Sequence, residues 1–278
     1  MYTASINRII PFSSVDGPGN RMVLFFQGCN FRCTYCHNPE TINSCNNCGI
    51  CVPACPAGAL SLSGGSVVWN KQKCIKCDNC LQVCPRLSSP RTEEYTVDGL
   101  FEQIKKAGPF ISGISCSGGE CTLQADFLIS LFKRVHSELK LSCFIDTNGG
   151  TEISDELCEA TDAFMLDIKA WDLQEHRRIC AQSNHTVLKN LRKLKDRKKL
   201  YEVRTVILSD ADSRLTVRET ARIIKSSCRY KLLPYRPFGV RQEGLEQHGN
   251  TGPDHKEMEE FKTIALKEGV RDVLIANI

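Results

Sequence analysis

Along the chain, short apolar runs alternate with longer amphipathic stretches. Arg21–Gln27 (RMVLFFQ) is an apolar run closed by a glycine, the pattern of a buried strand. Val97–Ala107 reads as a helix, Gly113–Ser117 as a strand, and Thr122–His136 as a helix with Thr122 as its N-cap. Within that last helix Phe127, Leu128, Leu131, Phe132 and Val135 share one face. Strands are predicted at Leu141–Asp146, Ala163–Ile168, Tyr201–Leu208 and Tyr230–Tyr235. Helices fill the gaps at Asp155–Ala160, Leu173–Ile179, Thr186–Lys199 and Leu215–Ser227, and Asp254–Lys267 precedes a final strand, Asp272–Ile275. Such alternation predicts βαβ units on a parallel sheet, and this number of units fits a partial or complete α/β barrel. In such barrels chemistry collects at the C-terminal ends of the strands.

From Asn43 to about Pro90 the pattern breaks. Cys, Asn, Gly and Pro dominate and helical periodicity disappears, which marks an insert with its own architecture. The expected organisation is a core from 1–43 and 91–278, interrupted by an insert over 44–90.

The 278 residues suffice for one large core plus a small insert. A formal net charge of +4 is too small to argue for nucleic acid. There is no run of 18 apolar residues and no secretory pattern between Met1 and Phe12, so no membrane span is predicted and a cytoplasmic protein is expected. Cysteine changes the picture. Eleven of the 17 cysteines fall in three tight groups between Cys29 and Cys84, only two or three residues apart. A secreted disulfide scaffold is typically short and exported, so metal is the better reading, iron–sulfur above all.

The first group, Cys29-x-x-x-Cys33-x-x-Cys36, follows directly on the first predicted strand. A [4Fe–4S] cube needs four ligands, so three thiolates leave one iron open to a substrate. A structural zinc site would want a fourth Cys or His, and His37 abuts Cys36 too closely to turn back onto the same metal. The segment Gln27-Gly28-Cys29-Asn30-Phe31-Arg32-Cys33-Thr34-Tyr35-Cys36-His37-Asn38-Pro39, with Val15-Asp16-Gly17-Pro18-Gly19 upstream, resembles the cluster loop of radical S-adenosylmethionine (SAM) enzymes, and among them the glycyl radical enzyme activating enzymes. The resemblance runs over almost the whole chain. It implies the partial barrel of radical SAM enzymes, with SAM chelating the open iron and Tyr35 and Asn38 beside the adenine.

The same resemblance assigns the other strand ends. Gly118 and Gly119 would let the ligand approach the backbone, and Glu120 would accept a hydrogen bond from the SAM amino group. Asp146, Thr147 and Asp167, with the Met165 carbonyl, would hold a monovalent cation (Na+ or K+). Lys169 would face the SAM carboxylate, and so would Arg204, a charge inside an apolar strand. Arg236, in Leu233-Pro234-Tyr235-Arg236, stands where many activating enzymes have a His near the nucleoside. The sequence leaves open whether it takes over that contact or faces the partner protein.

Within the insert, Cys45-x2-Cys48-x2-Cys51-x3-Cys55-Pro56 and Cys74-x2-Cys77-x2-Cys80-x3-Cys84-Pro85 are two copies of the bacterial ferredoxin motif. In that motif the fourth Cys of each run ligates the other cluster, so Cys84 would join Cys45, Cys48 and Cys51, and Cys55 would join Cys74, Cys77 and Cys80. Three [4Fe–4S] clusters are therefore expected, the insert's pair relaying electrons or acting structurally. Cys116, Cys121, Cys143, Cys158, Cys180 and Cys228 read as small core residues. The basic stretch Lys189–Lys199 reads as an exposed helix face, and the remaining histidines show no mutual spacing that suggests a metal site.

The expected function is installation of a glycyl radical on a partner enzyme through the 5′-deoxyadenosyl radical of SAM, with a flavodoxin or ferredoxin-type donor and a monomeric activase. The insert and short C-terminus look most like the YjjW-type activases. Two alternatives remain at this point: a radical SAM enzyme acting on a small molecule or another peptide, and a non-catalytic ferredoxin-type electron carrier.

Overall fold

A long strand that the apolar pattern did not predict opens the structure. In the computed structural model, which describes residues 2–276, β1 (Thr3–Ser13) runs antiparallel to β2 (Arg21–Phe26) and buries Ala4 and Ile6. The insert follows, with a hairpin of β3 (Leu60–Ser63) and β4 (Ser66–Trp69) and one short helix, α1 (Asn79–Gln82). The chain returns through β5 (Glu93–Thr96), antiparallel to β1, and α2 (Val97–Ala107).

From there the βαβ reading holds. β6 (Gly113–Gly118), α3 (Ala125–Leu139), β7 (Ser142–Thr147), α4 (Asp155–Ala160) and β8 (Ala163–Asp167) come first. Next are α5 (Leu173–Cys180), α6 (His185–Asp196), β9 (Leu200–Ile207), α7 (Ser213–Ile224) and β10 (Arg229–Pro234). The chain ends with α8 (Gln242–His248), α9 (His255–Lys267) and β11 (Val273–Ile275). The strand order is β11-β10-β9-β8-β7-β6-β2-β1-β5, parallel from β11 through β2. Among the described residues no pairing joins β11 to β5, so the barrel is partial rather than closed.

Helix caps follow the sequence with one correction. Asp254 caps α9 through a full capping box, and Thr96, Ser154, Asp172 and Asp212 cap α2, α4, α5 and α7. Thr122 is not the N-cap of α3. It lies inside a 3₁₀ turn, Cys121–Gln124, because the Glu120 carboxylate accepts from its amide and starts the turn four residues early. The face read from the sequence, Phe127 through Val135, is buried against the sheet.

A buried cation closes the bottom of the sheet. Arg21, fully buried, donates from Nε to Ser115 Oγ (2.8 Å) and from Nη1 to Ser142 Oγ (3.0 Å) and the Pro18 carbonyl (3.3 Å). Its Nη2 reaches the carbonyls of Ile114 (2.6 Å) and Ser142 (3.1 Å), and the guanidinium lies 4.2 Å from the Phe144 ring centroid. All these bonds go to neutral oxygens, so burial holds its pKa below the ordinary value. The segment Val15–Gly19 wraps this side chain; a Cβ on Gly17 would meet Arg21 Cδ at 2.9 Å. The stretch that carries part of the family resemblance is thus the plug under β2, β6 and β7.

Removing this guanidinium strands several buried acceptors. Arg21→Met is expected to lower stability by about 3 kcal/mol, read from the midpoint of urea unfolding at constant slope. Lys at this position should recover only part, since it cannot bridge three strands at once.

Candidate active site

Cys29, Cys33 and Cys36 lie on the loop leaving β2, at the C-terminal mouth of the barrel. Neighbouring backbone holds the loop: Cys29 N donates to Ile42 O (3.0 Å), Arg32 N to Cys180 O (3.1 Å) and Thr34 N to Ile179 O (2.9 Å). α8 braces it from the other side. Arg241 Nη2 donates to Cys33 O (3.2 Å), and a hydrogen-bond chain runs from Thr34 Oγ1 to His248 Nε2 and from His248 Nδ1 to Asp210 Oδ1, 2.7 Å each. Gly244 approaches so closely that a Cβ would sit 1.9 Å from Thr34 O. Sequence reasoning missed this helix, because Gln242–His248 holds a single large apolar residue, Leu245, and so shows no period.

All three cysteines line one cavity of about 470 Å³. Burial pushes the Cys29 thiol up to about 12 and the Cys36 thiol to about 11. Cys33 is shifted the other way by a hydrogen bond from Cys180, whose sulfur lies 3.7 Å from its own. Cys180 is a fully buried core residue, as expected, and from the core it abuts the loop without lining the cavity. Two N–H groups point at the Cys29 sulfur, Phe31 N (3.4 Å) and Asn148 Nδ2 (3.6 Å). Donors aimed at a thiolate suit a cluster ligand, whose proton the metal displaces. No fourth cysteine lines the cavity, so the donor set fits a [4Fe–4S] cluster with one open iron.

The ends of β6 and β7 meet at Glu120, which is 1% exposed. Its Oε1 accepts from Thr122 N (3.1 Å), Thr122 Oγ1 (2.6 Å) and Thr147 Oγ1 (2.7 Å), and its Oε2 from Asn148 N (2.7 Å). Burial raises its pKa while these bonds oppose the rise. The sequence reading gave this carboxylate to a ligand's amino group. In the structure its donors come from the chain itself, and it does not line the cavity. Gly118 and Gly119 do line it, but a Cβ on either would first strike backbone, Phe26 N at 2.3 Å or Gly28 O at 2.2 Å. The two glycines let β6 close against the cysteine loop, sealed by Gly119 N→Phe26 O (2.9 Å) and Glu120 N→Gly28 O (2.7 Å).

Opposite the cysteines stands an interleaved set of acids and bases. Asp146 accepts from Ser117 Oγ and from Arg204 Nη1, 3.1 Å each, and Lys169 Nζ lies 2.8 Å from Asp167 Oδ2. Arg204 also donates to Glu202 Oε1 (2.6 Å) and Met165 Sδ (3.0 Å). Burial opposes the charge of Arg204, but Asp146, Asp167 and Glu202 together hold its pKa above the ordinary value. Lys169 is held up in the same way by Asp167, with Tyr35 and Cys33 adding to it. Asp146, Thr147, Asp167 and Lys169 line the cavity, whereas Arg204 and Met165 stand behind it. The buried arginine thus has two anionic partners within the protein.

The remaining wall is made by Tyr35, His37, Asn38, Pro234 and Arg236. The Tyr35 hydroxyl is buried with no hydrogen-bond partner, and Lys169 Nζ lies 5.7 Å from its ring centroid. An orphaned buried hydroxyl on a residue that lines the cavity fits a site shaped for a polar ligand. His37 turns toward the Arg236 carbonyl (3.0 Å), which tethers the loop after β10 to the cysteine loop. Asn148, Val206, Leu233 and Ala276 also line the cavity; of these only Asn148 carried a signal, through its place in Asp146–Gly149.

In the insert, one small cavity is lined by Cys45, Cys48, Cys51 and Cys84, and another by Cys55, Cys74, Cys77 and Cys80. The fourth cysteine of each run lines the other run's cavity. Cys80 borders both, so the two share a wall. Elsewhere, among the described residues, ligand-type atoms of His136, Cys143 and Asp162 lie within 4.8 Å of one another, a grouping invisible in the histidine spacing. Hydrogen bonds account for it, since Asp162 Oδ2 accepts from Cys143 N (2.6 Å) and pairs with His136 (2.8 Å). No helix among the described residues is long and apolar enough to cross a membrane.

Comparison with known proteins agrees with this geometry. The family described as the radical SAM superfamily matches residues 23–211. The pyruvate formate-lyase-activating enzyme of Streptococcus mutans is 32% identical, over 85% of this chain and 79% of that one. The indoleacetate decarboxylase activating enzyme of Tractidigestivibacter scatoligenes is 30% identical over 98% and 97%, and the choline trimethylamine-lyase activating enzyme of Oleidesulfovibrio alaskensis 29% over 95% and 95%. In fold the chain is similar to QueE from Escherichia coli, with a TM-score of 0.59 at 12% identity over 99% of this chain and 95% of that one. SuiB from Streptococcus suis, bound to its precursor peptide, gives 0.60 at 11% over 92% and 48%. With three cysteines at the barrel mouth and relatives matched over nearly their whole length, the chain belongs to the radical SAM superfamily, among the glycyl radical enzyme activating enzymes.

Proposed function

We propose that this protein cleaves SAM reductively and uses the resulting radical to take the Cα hydrogen of a glycine in a partner glycyl radical enzyme. The observation that carries the reading is the incomplete cage: Cys29, Cys33 and Cys36, with no fourth cysteine, face strand-end polar groups across one cavity. When bound, the [4Fe–4S] cluster and SAM supply a one-electron cleavage of the C5′–S bond. The chain's own residues bind and orient. Asn148 and Phe31 N direct hydrogen bonds to the Cys29 sulfur, and Lys169 offers a cation at the wall where the SAM carboxylate would lie. Tyr35 and Asn38 would flank the nucleoside with Arg236, and the backbone at Gly118 and Gly119 would carry the amino-acid end.

Asp146, Asp167 and Glu202 set three carboxylates against two cations, Lys169 and Arg204. The remaining negative charge supports a cationic occupant. A monovalent cation (Na+ or K+) would take oxygens from Asp146, Thr147, Asp167 and the Met165 carbonyl, which the β7–β8 register puts side by side. Thr147 Oγ1 donates to Glu120 and accepts from Gly149 N (3.0 Å), which leaves one lone pair on its oxygen for such an ion.

We read residues 44–90 as a domain holding two further [4Fe–4S] clusters, between core segments 1–43 and 91–278. The crossed cysteine cavities support this, and an electron relay fed by a flavodoxin or ferredoxin-type donor is its natural role. A monomer acting on a partner loop is the simplest assembly. A glycine suits the entering loop, because it has no side chain to block approach to its Cα.

Reconstituted without oxygen, the protein should hold about twelve irons, and Cys33→Ser about eight, with SAM cleavage abolished. A normal cleavage rate in that variant would reassign the site. Asn148→Leu should keep the iron but slow SAM cleavage about tenfold, as expected for loss of a hydrogen bond to a cluster ligand. Mixed with SAM, reductant and its glycyl radical enzyme partner, the protein should produce a glycine-centred doublet in the electron paramagnetic resonance spectrum that collapses on α-deuteration. If a small molecule stimulates 5′-deoxyadenosine formation and no candidate enzyme yields that doublet, the activase reading fails.

A further inference from the structure

The insert carries an uneven charge distribution that neither the cysteine spacing nor the barrel chemistry explains. Over 44–90 the charged residues are Lys71, Lys73, Lys76, Arg86 and a single acid, Asp78. All of them lie in the second half, and the run from Cys45 to Cys55 has none. Asp78 is neutralised by Arg91 (2.7 Å), and Lys71 is paired with Glu93 (3.0 Å). Lys73 and Lys76 are exposed and make no ion pair among the described residues. They flank Cys74 and Cys77, the latter exposed, and between them Ile75 is 65% exposed. An exposed apolar side chain with an unpaired lysine on either side of it in the sequence, next to Cys74 and Cys77, has the composition of an interface read by charge.

We infer that this face, centred on Lys73, Ile75 and Lys76, is the docking surface for a small acidic electron-carrier protein. The inference rests on reading the insert as cluster-bearing. The reduced carrier would give up one electron and be oxidised, and Cys55, Cys74, Cys77 and Cys80 would hold the cluster that accepts it. Positive potential is on this half only, so an acidic carrier is steered here and not to the uncharged Cys45–Cys51 half. The onward route follows from connectivity. Cys80 borders both cavities. Cys84 and Cys45 flank the junction where Asn43 bonds the carbonyls of Arg86 (2.7 Å) and Leu87 (3.4 Å). From that junction the Ile42 carbonyl accepts from the amide of Cys29 (3.0 Å). The two halves of the insert thus have different tasks, acceptance at Cys74–Cys80 and delivery at Cys45 and Cys84.

The test uses the fully reconstituted protein and an acidic two-cluster ferredoxin as probe, without oxygen; a glycyl radical enzyme enters only in separate binding and radical-installation assays. The double charge reversal Lys73→Glu with Lys76→Glu should weaken ferredoxin binding at least tenfold at low salt and flatten its salt dependence. A control with the same charge change on exposed helix residues, Lys105→Glu with Lys106→Glu, should bind as the wild type does. Iron content and reduction by dithionite should be unchanged in both, while stopped-flow reduction by the ferredoxin slows only in the first. Lys73→Arg with Lys76→Arg should restore binding. Equal binding by the Lys73/Lys76 reversal and the wild type overturns the inference, as do equal losses in the control. Loss of glycyl radical enzyme binding in place of ferredoxin binding assigns the face to that partner and also overturns it. Failure of radical installation, with ferredoxin binding as described, would instead count against the activase reading alone.

Discussion

The Glu120 carboxylate, buried and accepting four hydrogen bonds, ties together the parts of the molecule that must meet for chemistry. Its own amide is fastened to Gly28 at the root of the cysteine loop. Its side chain shapes the turn after β6 and anchors Thr147 and Asn148 at the end of β7. Asn148 in turn reaches back to Asn30 (2.9 Å) and to the Cys29 sulfur. Loop, β6 and β7 are thereby locked in one arrangement. Burial makes this carboxylate costly to ionise, and the cost is offset only if every donor is in place, so the network tolerates few alternatives.

This anchoring explains the layout of the cavity. Strands converge on it from one side with carboxylates and cations interleaved, and the cysteine loop closes the other side. Because Arg204 and Lys169 are already paired with Asp146 and Asp167, the charged wall does not depend on a ligand to hold its shape. A preorganised wall of this kind spends little energy on rearrangement when a charged ligand arrives. The Tyr35 hydroxyl is the exception, buried and without a hydrogen-bond partner among the described residues.

The insert stands in a different relation to the core. It contributes its own two-stranded sheet and joins the barrel at the β1–β5 edge and at the Asn43–Leu87 junction. Its few charges all fall in the second half of the segment, from Lys71 to Arg86. Below the barrel, Arg21 plays a part opposite to that of Glu120. It ties the N-terminal strand ends through neutral acceptors and leaves the mouth free to carry function.

Much of this was legible in the chain itself. Cysteine spacing depends on short-range geometry alone, so the loop of Cys29, Cys33 and Cys36 and the crossed grouping of the two later cysteine runs could be read without a fold. Period and composition revealed the alternating strands and helices from Val97 onward, because each buries a face that repeats along the sequence. Several things were decided only by tertiary contacts. Glu120 and Arg204 read as ligand-facing because a charge in an apolar context needs a partner, but a sequence cannot say whether that partner is a ligand or a residue many positions away. The same limit hid α8, which has no apolar period and is held by Thr34, Cys33 and Asp210. It also hid Cys180, brought to Cys33 by the packing of α5, and Arg21, whose acceptors come from three separate segments. Local order is written in neighbouring residues, whereas the pairing of buried polar groups is settled only when distant strands are laid side by side.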